Sequence, residues 1–112
     1  MNSFENRDQG GPHPGPPSEL AHGEEMMFRV QARRNKLLGQ WAAVRMGLDP
    51  AETESYARSV VQAEFEESGD EDVIRKVLGD ILQSGVDVTE AEVRTSLSAR
   101  TVEARRQLMG DS

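Results

Sequence analysis

The stretch GDEDVIRKVLGDILQSG, residues 69–85, decides the fold. Val73, Ile74, Val77, Leu78, Ile81 and Leu82 recur at the 3.6-residue period and make one wide apolar stripe. A half-buried strand would alternate at every second residue instead. Asp70 is expected as the N-cap, with Glu71 and Asp72 at the positive end of the helix dipole. Gly85 closes the segment at the C′ position, where glycine takes the left-handed conformation without strain.

Working outward, the same punctuation recurs. Downstream, Thr89-Glu90-Ala91-Glu92 reads as a capping box, and Val88 and Val93 have the spacing of a hydrophobic staple. The helix they open should fray before Gly110, and Val93, Leu97, Ala104 and Leu108 line it thinly. Upstream, Asp49 as N-cap and Pro50 at the first helical position open a helix that ends near Ser68, with Gly69 behind it. Its stripe is Ala57, Val60, Val61 and Phe65. A longer helix precedes that one, from about Ser18 or Glu24 to Met46, with Gly47 at C′. Its apolar face is read as Met27, Val30, Leu37, Trp41 and Val44, widened by Phe28 and Leu38.

No segment alternates as a strand does, and connections of a few residues make successive helices antiparallel neighbours. The expected class is all-α: a small four-helix domain over residues 18–112 with a longer first helix. Residues 1–17 are set apart as a disordered or polyproline-like tail. Four of the five prolines and three glycines fall in residues 10–17. Forcing that stretch into a helix would cost about 15 kcal/mol, at roughly 3 per Pro and 1 per Gly.

Composition removes several function classes. The chain of 112 residues has no cysteine, which excludes disulfides, Cys-ligated zinc, iron–sulfur clusters and a thiol nucleophile. No apolar run is long enough to span a bilayer, and the N-terminus lacks the apolar core of a signal peptide. The expected location is cytoplasmic. A net charge of −7 argues against nucleic acid as partner. The charge is uneven, however. Residues 24–47 carry Arg29, Arg33, Arg34, Lys36 and Arg45 against Glu24 and Glu25, and residues 48–69 carry six acids against Arg58. A basic helix beside an acidic one pairs inside the fold.

No constellation for catalysis emerges. His13 and His22 lack partners at metal-ligand spacing and read as solvated. Gly10-Gly11 lacks the Lys-Ser/Thr of a phosphate loop. The acidic corner Glu64, Glu66, Glu67, Asp70, Glu71, Asp72 lacks the alternating oxygen ligands and central glycine of a calcium loop. It reads as caps plus a solvated turn. Glu66 and Glu67 stand at a helix C-terminus, where the dipole disfavours acids, so a basic partner on the first helix is expected. Within that helix, Arg29, Arg33 and Lys36 share a face. Asn35 and Gly39 are poor interior helix formers, and Gly39 implies a close backbone approach. Trp41 is read as a core residue, with an interface anchor as the alternative.

Three blocks carry a family resemblance: ARRNKLLGQWAA (32–43), FEESGDEDVIRKV (65–77) and GVDVTEAEVR (85–94). In order and spacing they resemble the zeta inhibitor subunit of alphaproteobacterial F-type ATP synthases, over about residues 20–105. The resemblance implies a four-helix domain with an N-terminal inhibitory segment that folds on binding. That segment would enter a catalytic interface between the large subunits of the ATPase head. It would block hydrolysis and allow synthesis, as a non-enzymatic subunit at the cytosolic face. Phe4 and Arg7 match the start of the family's segment, and Leu20, Glu24, Glu25 and Phe28 match its end. Leu20 stands where the family tends to have phenylalanine. With the Arg33-Arg34-Lys36 patch, these are the expected contacts to the catalytic head of the ATP synthase. No cofactor or metal is implied. Between the matching ends lies GGPHPGPP (10–17), longer than the family's segment and incompatible with helix. Alternatives are a diverged member acting as a helical interaction module, and a regulator that binds a nucleotide through the basic helix.

Overall fold

The computed structural model describes residues 16–66 and 69–110, and the side chains of 23–66 and 69–110. Four helices follow one another: α1 (Pro16–Met46), α2 (Pro50–Glu66), α3 (Asp70–Gln83) and α4 (Glu90–Met109). Among the described residues there is no strand, and no helix is long and apolar enough to cross a membrane. The expectation of a disordered tail falls mainly on residues 1–15, which lie outside the described residues.

The first helix begins earlier than its sequence suggests. Pro16 and Pro17 occupy its opening turn, and Ser18 lies inside the helix rather than at its cap. A first turn tolerates proline because its N–H groups have no intrahelical acceptor, so nothing is lost when they are missing.

The two expected caps are built as read. Asp49 Oδ1 accepts the Glu52 N–H at 2.8 Å and Glu52 Oε1 accepts the Asp49 N–H at 3.0 Å, a reciprocal box at the start of α2. Thr89 and Glu92 form the same box on α4, at 3.1 and 2.9 Å. That backbone hydrogen bond, with Arg45 adding to it, holds the Glu92 carboxyl below its usual range. Val88 and Val93 both enter the core, completing the staple. Gly47 and Gly85 end α1 and α3 with φ of 76° and 91°. Asp70 departs from expectation. It is the first residue of α3 itself, Gly69 precedes it with no side-chain cap, and its carboxylate goes to Arg34.

The core gathers Leu38 and Ala42 from α1, Val60 from α2, Val73, Ile74, Val77 and Ile81 from α3, and Val93 and Leu97 from α4. The α3 stripe is as read, except that Leu82 is exposed. The face of α1 is rotated from the expected one. Val30, Arg34, Asn35, Leu38, Ala42 and Ala43 are buried, whereas Met27, Phe28 and Val44 are exposed and Leu37 and Trp41 half-buried.

The reason is steric. A Cβ on Gly39 would lie 2.6 Å from the Ala57 Cα and 3.2 Å from its Cβ. The two helix backbones touch there, and the smallest residues of α1 must face that crossing whatever their hydrophobicity. Phe65, expected in the α2 stripe, is 61% exposed, because it lies past the part of α2 that faces the core.

Two glycines test this directly. Gly39→Ala should destabilise the domain by about 1–3 kcal/mol through overpacking against the α2 backbone, despite a helix-propensity gain near 1 kcal/mol. Gly79→Ala, whose Cβ meets nothing, should stabilise by up to about 1 kcal/mol. Thermal or urea unfolding of the pair reads the contrast; equal signs would contradict the crossing.

Candidate protein-binding surface

The candidate contacts sort into three groups. Phe4 and Arg7 lie outside the described residues, and Leu20 is placed only as a residue of α1. Glu24, Glu25 and Phe28 are exposed on the N-terminal half of α1, ahead of Val30, its first buried residue among those whose side chains are described. Arg29 reaches back one turn to Glu25 at 3.3 Å. The third group, Arg33-Arg34-Lys36, is not one patch. Lys36 is exposed, and Arg33 donates to Gln107 Oε1 on α4 at 2.6 Å.

Arg34 turns inward and is 6% exposed. Its guanidinium lies 2.8 Å from Glu64 and 3.0 Å from Asp70, and its Nε donates to Asn35 Oδ1 at 3.1 Å. The Asn35 amide donates to the same Glu64 carboxylate. One cation thus ties α1 to the end of α2 and the start of α3, so Arg34 is unavailable to a partner. The planar guanidinium suits this task, because its donors meet two carboxylates and an amide at fixed angles.

Four acids of the acidic corner are paired in the same way. Besides Glu64 and Asp70, Asp72 pairs with Arg75 at 2.7 Å. Glu71 takes a two-pronged contact from Arg94 of α4, at 2.6 and 3.0 Å. The Arg94 hydrogen bond holds the Glu71 carboxyl below its ordinary range. Among the described residues no cluster of three His, Asp or Glu could hold a metal ion. The basic partner expected on α1 for Glu66 and Glu67 is instead the partner of Glu64, because Glu64 faces α1 and Glu66 points to solvent; Glu67 lies outside the described residues.

Two features were missed in the sequence. The Phe65 ring stands edge-on to Phe28, with centroids 5.3 Å apart and planes at 76°. A signal for this was present: Phe65 sits inside the run Glu64-Phe65-Glu66-Glu67, a polar setting for a core aromatic. The other feature is a pair of open hollows, of about 390 and 430 Å³, on either side of Trp41 between α1 and α4. Trp41, Arg45 and Arg100 line both, and the Arg45 guanidinium stacks 5.0 Å from the Trp41 ring. Ser96, 6% exposed, lines the larger, and its hydroxyl has no hydrogen-bond partner among the described residues.

A four-helix bundle whose buried charge is spent on internal ion pairs, and whose first helix presents exposed acids and one exposed aromatic ring, has the make-up of a small helical binding module. The family model for ATPase inhibitor subunit zeta matches residues 1–107, nearly the whole chain, and the chain belongs to that family. A protein whose structure was determined by NMR in solution is 48% identical, with a TM-score of 0.67 over 75% of this chain and 95% of that one. No curated protein matches the chain.

Substitution separates the two neighbouring arginines. Arg34→Ala leaves the half-buried Glu64 carboxylate with the Asn35 amide alone and should cost about 3 kcal/mol. Arg33→Ala should cost less than about 1 kcal/mol. Chemical denaturation of both variants checks the order; the reverse order would invert the inside and outside of α1.

Proposed function

We propose that this chain is the inhibitory subunit of an F-type ATP synthase, a regulatory protein without catalysis of its own. It acts at the cytosolic face and blocks ATP hydrolysis through its N-terminal segment. The observation that carries this reading is the family match, which extends back to residue 1 and so includes the segment ahead of the bundle. Phe4, Arg7, Leu20, Glu24, Glu25 and Phe28 are its contact residues, with Arg33 and Lys36 at the base. Arg34 holds that base together.

The course of α1 supports a definite form of the mechanism. The helix runs unbroken from Pro16 to Met46, so Leu20, Glu24, Glu25 and Phe28 lie on the same helical rod as the buried Leu38 and Ala42. From Pro16 to Phe28 that rod spans about 18 Å at 1.5 Å per residue. Its exposed part enters the head while its base stays locked in the bundle. Rotation in the hydrolysis direction traps such a wedge, and rotation in the synthesis direction expels it. The described helix begins at Pro16, so the part of α1 from Pro16 to Phe28 does the inhibitory work.

Truncation tests this form. Deleting residues 1–15 should leave inhibition of the cognate ATPase within a few-fold of the full chain. Deleting 1–28 should abolish it while circular dichroism still reports a folded bundle. Proton-driven synthesis should fall much less than hydrolysis. If the 1–15 deletion abolishes inhibition, the wedge begins further upstream. Equal loss of synthesis and hydrolysis contradicts a one-way wedge. If no variant binds the head, the chain is a diverged interaction module.

A second reading is favoured by the larger hollow beside Trp41, where two arginines and an aromatic ring meet. Those groups suit the phosphates and base of a nucleotide. Trp41 is the chain's single tryptophan. Titration with ATP or ADP should change its fluorescence, and Arg100→Ala should weaken the response about tenfold. An unchanged spectrum rejects the reading.

A further inference from the structure

The Phe28–Phe65 pair is left unexplained by an inserted helix alone. The two rings come from different helices, stand 5.3 Å apart edge to face, and are 55% and 61% exposed. Met27 beside them is 66% exposed. Ala32 and Val61 floor the small hollow between the rings. The other exposed large apolar side chains lie elsewhere: Val44 near the far end of α1, Leu82 on α3, Val102 and Met109 on α4. Rings held against each other at the surface are anchors of the kind that dominate interfaces, whereas scattered single residues are ordinary.

We propose that Phe65 is a second anchor on the ATPase head, seated by α2, and that with Phe28 it enters an apolar depression rimmed by basic side chains. This rests on the reading that α1 binds the head. The first argument is continuity. Phe28 lies one turn beyond Glu24 and Glu25 on α1, and any surface that covers α1 as far as Phe28 also meets the ring against it. The second is charge. Glu24, Glu25 and Glu66 are exposed around the pair. Arg29, the nearest base on α1, pairs with Glu25 and offsets that charge, so Glu24 and Glu66 set the sign of the rim. An apolar centre with an acidic rim is complementary to an apolar pocket with a basic one. The arrangement also gives α2 a role in binding. The Arg34–Glu64 pair fixes α2 against α1 one residue before Phe65, so the two rings arrive at the head as one preformed unit.

The test uses the full chain and the purified cognate ATPase head. Phe65→Ala should raise Kd by at least about 30-fold, the loss expected of an interface hot spot. Leu82→Ala, exposed on another helix, should leave Kd unchanged. Glu66→Lys should slow association, most at low salt. Because the chain has no cysteine, Phe65→Cys can carry a single environment-sensitive dye. Its emission should shift to the blue when the head is added, a readout that stands even if the alanine variant folds poorly. Unchanged Kd for Phe65→Ala together with an unshifted dye overturns the second anchor. If the 1–28 deletion still abolishes binding, the inserted helix stands and this inference alone fails. If that deletion also leaves binding intact, the parent reading fails too. A Phe65→Ala variant that turns a dimer into a monomer in sedimentation, with head binding unchanged, would assign the patch to a second copy of the chain and overturn the proposal.

Discussion

The contact between Gly39 and Ala57 is the constraint on which the rest of the domain depends. With no side chain at 39, the α1 and α2 backbones approach until an added Cβ would sit 2.6 Å from the Ala57 Cα. That approach fixes which way α1 faces. Leu38, Ala42 and Ala43 turn inward with Gly39, and the larger Trp41 moves to the flank against α4. The exposure of Val44 and Phe28 follows from the same rotation.

A face chosen for closeness brings Arg34 and Asn35 inside with it, one turn ahead of the glycine. A buried guanidinium is costly unless it is fully engaged. Here Glu64, Asp70 and Asn35 engage it, and each carries a second duty. Glu64 ends the packed part of α2, and Asp70 begins α3. Asp70 therefore does not cap its helix, and a cation on α1 joins Glu64 near the end of α2 to Asp70 at the start of α3. α1 is divided in consequence. From Val30 onward its inward face is locked by packing and ion pairs, while residues 23–29 share the helix but bury little of their surface.

Legibility in the sequence followed the range of the interactions. The caps at Asp49 and Thr89 and the glycine stops at 47 and 85 were readable because they are made within four residues. The α3 stripe was readable, Leu82 apart, because a helix in contact with several others buries most of its apolar face. The face of α1 was not, because it was decided by a close approach to a helix some twenty residues away, in which small residues outrank large ones. Gly39 was the only visible sign of it. Arg34 and Arg33 could not be told apart by composition, since their fates differ by one step of rotation about the helix. Phe65 satisfied the period of α2, but periodicity does not report where along a helix the core stops.

The central claim is that one helix serves as both foundation and probe, its base immobile and its exposed part available to the ATPase. Amide hydrogen exchange along α1, in the free chain and in complex with the ATPase head, measures this directly. The account predicts strong protection of residues 30–46 in both states, close to that of the core of α3. It predicts weak protection of residues 23–29 in the free chain and a large gain in the complex. Equal protection along the whole of α1 in the free chain, or a gain on binding confined to α4, would contradict it.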